Sequence, residues 1–573
     1  MKNIDIASVF WDVADLLEIK GENKFKVRAY RTAAQAVENL PEEIEVMLEE
    51  DKDLKDIPGV GEAIAKKTIE LVSTGKLAYY EDLKAAFPDG ITRLLEIRGV
   101  GPRTALKLSE SGINTIDELE KAIKEGRVAN LFRLGEKTAA NILRQIEALR
   151  NRDERIPIGE ALPVVEEIVN ALQSGTDVKN LGAAGSLRRF KETVGDIDLM
   201  GTSDNPENVI NSFVNLPIVK EVLAKGPTKA SVVLTKKGLQ VDLRMVEHDS
   251  FGSLLQYFTG SKQHNILLRT RALKQGLKLS EYGITAISID KLEKFVTEED
   301  FYSRLGMQYI PPEIREGDDE IDLAEKNRLP RLVQLSDIKG DFHVHTDWSD
   351  GQDSIKLMAD EAKALGYQFI AITDHSAGRG VAHGLNIERL NQQVNAIKEL
   401  NQTMTGIRIL SGTEVDIKAD GSLDLPEEAL ANLDIVVAAI HSSMGQSKEQ
   451  MTKRVIGAMV SPHVDVIAHP TCRILGEREP VDIDMEAVFK SALQYNKALE
   501  INAMPDRLDL KDIHIQRAQK LGVTLVMGTD AHALAHLKFM TFGIGVARRG
   551  WCQPEQILNT QPLEEILKLL GRH

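Results

Sequence analysis

Residues 185–198 read Gly-Ser-Leu-Arg-Arg-Phe-Lys-Glu-Thr-Val-Gly-Asp-Ile-Asp. Asp196 and Asp198 are two apart, so on a strand both carboxylates face one side. Like charges that close need a compensating cation. A third carboxylate, Asp242 in Val241-Asp242-Leu243-Arg244, lies in a separate strand-like run. Three acids on adjacent strands can hold two Mg2+ ions about 4 Å apart, the arrangement for in-line displacement at phosphorus. Gly185 and Ser186 offer amides and a hydroxyl to phosphate oxygens, and Arg189 adds a fixed charge. Around this stretch, short β-type runs (231–235, 239–246, 284–289) alternate with helical ones over 151–310, an α/β or α+β pattern.

Toward the N-terminus the pattern turns helical, with apolar residues at three- and four-residue spacing such as Val9, Val13, Leu16 and Leu17. Ile57-Pro58-Gly59-Val60-Gly61 recurs as Ile97-Arg98-Gly99-Val100-Gly101, and a weaker third copy falls at Leu134–Lys137. A Gly-x-Gly turn between helices places backbone N–H groups at a helix N-terminus, where they hold phosphate without reading bases. Gly59, Gly61, Gly99 and Gly101 are therefore candidate DNA contacts.

Toward the C-terminus, apolar runs at 342–345, 369–373, 407–412, 435–440, 464–468, 498–501 and 523–527 alternate with helical stretches. Seven strand–helix units predict a barrel or a doubly wound parallel sheet. At or just beyond these strand ends stand His343, His345, Asp350, His375, Glu414, His441, His469, Asp530 and His532. One histidine there is more often structural; nine ligand-type residues at six strand ends predict a metal centre. Before the barrel, 311–338 carries Pro311-Pro312, an acidic cluster (Glu316, Asp318, Asp319, Glu320) and Pro330, the composition of a linker.

The 573 residues suggest about four domains, and 42% hydrophobic content excludes a disordered chain. Two cysteines exclude a disulfide scaffold and an all-cysteine zinc site, and fit a reducing, cytoplasmic compartment. No apolar run approaches the ~20 residues of a membrane span, and the N-terminus lacks a signal-peptide core. A net charge of −16, with no third of the chain basic, argues naively against nucleic acid. Two acid-free runs oppose it. Lys225, Lys229, Lys236 and Lys237 form one; Lys262, Arg269, Arg271, Lys274 and Lys278 form the other. Both flank the aspartates and predict a DNA track.

Gly-Ser followed at this spacing by Asp-x-Asp resembles the nucleotidyltransferase superfamily. Tyr257-Phe258-Thr259-Gly260-Ser261 then resembles the family X DNA polymerases, and Glu281-Tyr282-Gly283 also matches. The resemblance implies an aromatic pair against the nucleotide sugar that disfavours a 2′-hydroxyl. It also implies nucleotide contacts from Arg155, Gly185, Ser186, Arg189, Gly195, Gly260 and Asn265, and DNA contacts from Arg244 and Arg269. Lys67 falls at the lyase lysine of the family, with Lys26, Tyr30 and Arg31 matching; a solvated helix lysine is the competing reading. Three departures stand out: Ala63 replaces a supporting lysine, Gln240 an arginine and Lys262 an aspartate.

The C-terminal cluster resembles the PHP (polymerase and histidinol phosphatase) domain at all nine ligand positions. That implies a distorted seven-stranded barrel with up to three Mn2+ or Zn2+ ions. Arg473 would contact substrate phosphate or form a surface ion pair. The order of parts is similar to bacterial family X polymerases with a C-terminal PHP domain. The expected division is a helical lyase-like domain (1–85), a second helical DNA-binding subdomain (86–150) and a nucleotidyltransferase palm (151–248). A thumb-like nucleotide-selection subdomain (249–315), a linker (316–338) and the PHP domain (339–573) follow. The expected activity is gap-filling DNA synthesis in repair from deoxynucleoside triphosphates on gapped or primed DNA, by a monomer. A Mn-dependent 3′→5′ exonuclease and abasic-site cleavage accompany it. The alternatives are a small-molecule phosphoesterase with a scaffold polymerase core, and a non-catalytic DNA-end binding protein.

Overall fold

A computed structural model of the chain describes residues 3–38, 44–49, 52–57, 59–88, 91–97, 102–125, 155–378 and 382–569, together with Leu40, Val100, Arg127, Ile142, Leu143 and Ile146. These residues form two compact units, Met1–Glu154 and Arg155–His573.

The first unit is helical. Helices α1 (Asn3–Lys20) and α2 (Lys24–Glu38) bury Ile6, Phe10, Val13 and Leu17 against Val27, Tyr30, Ala34 and Val37. The repeat is visible in the backbone. A 3-10 turn (Leu54–Asp56) leads to α3 (Glu62–Thr74), and a second (Ile91–Glu96) leads to α4 (Pro102–Glu110). In each copy the valine N–H donates to the isoleucine carbonyl three residues back, Val60 to Ile57 at 3.0 Å and Val100 to Ile97 at 2.9 Å. Gly59 has φ +87°, and a Cβ there would meet Thr32 Cγ2 of α2 at 2.5 Å, so the turn needs glycine twice over. Gly61 caps α3. Gly99, Gly101 and Leu134–Lys137 lie outside the described residues.

The second unit opens with a five-stranded sheet, β1 (Lys179–Ala183), β2 (Asp196–Thr202), β3 (Val219–Lys225), β4 (Lys229–Leu234) and β5 (Gln240–Val246), in spatial order β1-β2-β5-β4-β3. Only β2 and β5 pair in parallel. Ile197, Leu199, Val241 and Leu243 are buried together with α5 (Ile158–Gly175) and the helix Pro206–Val214. Side chains alternate along a strand, so the aspartates take the opposite face. Helix α6 (Gly185–Arg188) joins β1 to β2. Helices α7 (Phe251–Thr259) and α8 (Lys262–Lys274) then lead to a small antiparallel sheet of β6 (Leu277–Ser280), β7 (Gly283–Ala286) and β8 (Lys291–Glu293).

Residues 316–338, expected as a linker, are folded. They contain the helix Glu320–Glu325 and bury Glu320, Ile321, Ala324, Leu332 and Val333. Two of the four acids that suggested a solvated tether are paired instead: Glu320 with His264 at 2.8 Å, and Glu316 with Arg189 at 3.2 Å and Arg549 at 2.9 Å.

Strands β9 (Gly340–Val344), β10 (Phe369–Ile372), β11 (Arg408–Asp416), β12 (Ile435–Ala439), β13 (Val466–Ile467), β14 (Ala498–Asn502) and β15 (Leu525–Gly528) form an all-parallel sheet. Their spatial order is the chain order. A doubly wound sheet would reverse direction at a switch point, so the barrel alternative is the one adopted. Val344 bridges Ala531 just beyond β15 and brings the last strand round to the first. Asn559, fully buried, fastens that seam: its amide donates to the Gly340 carbonyl at 2.9 Å and the Met527 carbonyl at 2.8 Å. Both faces are covered, which explains the unbroken apolar runs.

Candidate active sites

On the palm face of β2 and β5, Asp198 stands directly opposite Asp242 and Asp196 opposite Gln240. The parallel register brings together three carboxylates that sequence alone placed only on two strands. Gly185 is the third wall. Its φ is +61°, and a Cβ there would lie 2.6 Å from Asp198 Oδ2, while the Ala184 N–H donates to the Asp198 carbonyl at 2.8 Å. Ser186 follows in the first turn of α6. Gln240 donates to both Asp242 oxygens at 3.2 and 3.4 Å. It supplies a hydrogen bond without a charge.

Helix α7 ends at Gly260, φ +69°, and presents Tyr257 and Phe258 edge to face at 5.2 Å. The Arg244 guanidinium lies 4.5 Å from the Phe258 ring centre. Asn265 donates to the Tyr257 carbonyl at 2.8 Å and accepts from Gln256 at 2.9 Å, and Arg269 donates to the Asn265 carbonyl at 3.0 Å. Arg155 is exposed beside Gly195 and bonds Thr193 Oγ1 at 2.9 Å. Arg189 points inward, 12% exposed, toward the Thr259 carbonyl and Glu316.

In the helical unit, Lys67 Nζ lies 4.8 Å and Lys26 Nζ 5.3 Å from the centre of one ring, Tyr79, on which Tyr30 stacks at 6.1 Å. Hydrogen bonding to Tyr79 raises the Lys26 amine. Arg31 is tied to Asp15 and Glu18. Sequence reasoning missed Tyr79, because its helix carries no motif.

The nine C-terminal ligand candidates converge at one end of the barrel. Three groups have ligand atoms within 4.8 Å of one another: His345, Asp350, His375 and His532; His343, His345 and Asp530; His375, Glu414 and His441. His469 Nε2 lies 3.0 Å from Glu414 Oε1. His343 Nε2, both nitrogens of His345, His469 Nδ1 and Glu414 Oε2 are buried without a hydrogen-bond partner among the described residues. Buried polar atoms left so cost free energy unless a ligand takes them, and mixed imidazole and carboxylate donors suit a transition metal. The residues present therefore fit metal ions.

Electrostatics agree. Burial alone would raise the Glu414 carboxyl, but His441, His375 and His343 hold it well below the usual range. Asp530 is held down by His343, His345 and Arg507 against the same burial. Burial, with His375 and His532 alongside, pushes His345 down to about 3. The backing residues were not legible from motifs. Glu500 accepts from His343 Nδ1 at 2.8 Å and from the His469 N–H at 2.8 Å, and Asp416 faces His441 Nδ1 at 3.1 Å. Such partners fix which ring nitrogen faces a metal.

The pocket over this cluster is lined by Glu414, His441, His469, Met504, Asp506, Arg507, Asp530 and His532. Arg507, not Arg473, supplies its cation, 3.4 Å from Asp530. Arg473 is neither a pocket residue nor a surface pair. It is buried, donates to the Arg507 and Leu508 carbonyls, and pairs with Glu192 of the palm at 2.8 Å. Arg507 falls shortly after β14, so the strand-end argument that found the ligands could also have found it.

Family models match in the order of these parts: a helix-hairpin-helix domain over residues 1–77, a SAM-like helix-hairpin-helix tandem over 91–148, a DNA polymerase beta thumb over 254–316 and a PHP domain over 341–504. The chain is 39% identical, over the full length of both proteins, to the DNA polymerase/3′-5′ exonuclease PolX of Bacillus subtilis (strain 168). The chain belongs to the family X DNA polymerases. The DNA polymerase lambda of Arabidopsis thaliana is 25% identical over 55% of this chain and 62% of its own. A probable phosphatase of Thermoanaerobacter sp. (strain X514) is 32% identical over 40% of this chain and 94% of its own. A family X polymerase with helix-hairpin-helix domains takes DNA and nucleotides as substrates and uses metal ions. Among the described residues no helix is long and apolar enough to cross a membrane.

Proposed function

We propose that this DNA polymerase/3′-5′ exonuclease fills short gaps during DNA repair with its palm and trims 3′ ends at its PHP site. The observation that carries the reading is the pairing of Asp198 with Asp242 across β2 and β5, with Gly185 closed against Asp198. Asp196, Asp198 and Asp242 would hold two Mg2+ ions, which when bound lower the pKa of a primer 3′-hydroxyl and neutralise the triphosphate. Gly185, Ser186 and Arg155 would orient the phosphates. The Tyr257–Phe258 wall would crowd a 2′-hydroxyl, and Arg244 and Arg269 would face DNA.

In the barrel, His343, His345, Asp350, His375, Glu414, His441, His469, Asp530 and His532 would hold up to three Mn2+ or Zn2+ ions, which supply an activated water. Arg507 would hold the scissile phosphate against them. Glu500 and Asp416 would keep His343 and His441 in the ligating tautomer. Abasic-site cleavage is a further activity of this reading, with Lys67 as the amine beside Tyr79. The enzyme would act as a cytoplasmic monomer.

A gapped primer incubated with and without nucleotides, in Mg2+ and then Mn2+, tests the assignment. Extension with nucleotides and shortening without them is the expected result; neither would overturn it. The likeness of the barrel to a probable phosphatase favours a second reading, phosphomonoester hydrolysis. Release of phosphate from histidinol phosphate without digestion of a labelled primer would select it.

A further inference from the structure

The loop between β14 and Leu510 carries Met504, Asp506 and Arg507 into the PHP pocket, and two palm residues grip it from behind. A Cβ on Gly159, in the first turn of α5, would meet the Pro505 Cβ at 2.3 Å. Glu192, between α6 and Asp196, pairs with Arg473 at 2.8 Å. Arg473 is 6% exposed and also donates from Nε and Nη2 to the Arg507 and Leu508 carbonyls. One guanidinium thus joins the palm to the backbone of the residue whose side chain lies 3.4 Å from Asp530. Removing the carboxylate would leave the buried guanidinium with Asp509 as its remaining acidic neighbour and with one side of its fork released from the palm. The Glu192 carbonyl is occupied separately by the Ile158 N–H at 2.9 Å, so a side-chain change leaves the palm backbone anchored.

We propose that Glu192, a palm residue, is a positioning residue for the exonuclease, acting through Arg473 to hold the loop that presents Arg507 to a DNA phosphate. The inference rests on the PHP site being the nuclease. Small displacements of a substrate-holding group are costly, about 10²-fold for 1 Å, and a loosened loop should cost part of that.

Full-length Glu192→Gln, Arg507→Ala and the double variant, with His343→Ala as a control, should be assayed for primer digestion in Mn2+ over a range of DNA concentrations. Nucleotide addition and bound metal are measured on the same preparations. Glu192→Gln should raise the KM for digestion about tenfold, with metal content and nucleotide addition unchanged. It should add nothing to Arg507→Ala. Wild-type digestion by Glu192→Gln, loss of both activities together, or an effect that adds fully to that of Arg507→Ala would overturn the proposal. A His343→Ala variant that digests normally would instead remove the nuclease reading itself.

Discussion

At Gly185 the proposed polymerase site turns on one missing carbon. A methyl group there meets both a left-handed backbone and the Asp198 carboxylate 2.6 Å away. Gly185→Ala should therefore lower nucleotide addition by at least ~10²-fold, on the scale of a 1 Å misplacement, while primer digestion stays within twofold; parallel assays on one preparation check it. Asp242→Ala should abolish addition and spare digestion, and His343→Ala should do the reverse. Loss of both activities in either well-folded variant would refute this division of labour. At this scale the sequence was legible wherever chemistry repeats a local pattern. Asp196 and Asp198 announce themselves by alternation, and the nine ligand candidates by sitting where strands end. Glu500 and Tyr79 announce nothing of the kind, and Asp416 and Arg507, though near strand ends, carry no motif that gives their role. Their meaning comes from neighbours dozens or hundreds of positions away, and only the folded chain brings those together.

The same distance effect governs whole elements. Residues 316–338 read as a tether because acids beside prolines are usually solvated. Glu316 pairs with Arg189 and Lys191, far upstream, and with Arg549, far downstream, so no window of sequence could show them paired. Helix α9 (Met540–Arg549) supplies that pairing. Arg549 reaches Glu316 and Asp512 and donates to the Arg189 carbonyl, while Arg548 holds Glu313. Arg549→Met strands the buried Asp512 carboxylate and leaves Glu316 with Arg189 and Lys191 alone. It should destabilise the second unit by about 3–5 kcal/mol, the range for breaking a buried pair, seen as a fall in unfolding temperature. A change of less than about 1 kcal/mol would mean that water already screens the network. The seven strands of the barrel, by contrast, were readable one by one, because strands covered on both faces need no alternation. Closure was not, since it depends on Val344 finding Ala531 and on Asn559 sealing the gap.

Over the whole molecule, net charge proved a poor guide. The −16 includes carboxylates committed to ligand clusters and to buried arginines rather than to repelling DNA. Two of them set a limit on acid tolerance. Burial would raise Glu298, but Arg315 and Arg188 hold it down at about 2; Arg549, Lys191 and Arg189 do the same for Glu316. A depressed folded value means that the stabilisation is complete above the unfolded value near 4.5 and disappears as pH falls toward 2. Each group should contribute on the order of 2–3 kcal/mol within that window. Denaturant unfolding between pH 5 and 3 should show the loss, and Glu298→Gln should flatten it. Chelation should act on the same unit at neutral pH, because the barrel cluster crowds Glu414 and Asp530 among imidazoles. Mn2+ should raise the unfolding temperature and a chelator lower it; no difference would argue that the cluster holds no ion.

Asn559 carries one more consequence, in time rather than space. It follows all seven strands in the chain, so a ribosome delivers the clasp of the barrel last. His343, on the first barrel strand, and His345, just beyond it, have to wait for Asp530 and His532, and then for that clasp, before their cluster is secured. The palm carboxylates are all translated some three hundred residues earlier. A nascent chain therefore holds the acids assigned to synthesis long before it can hold fast the site proposed for digestion.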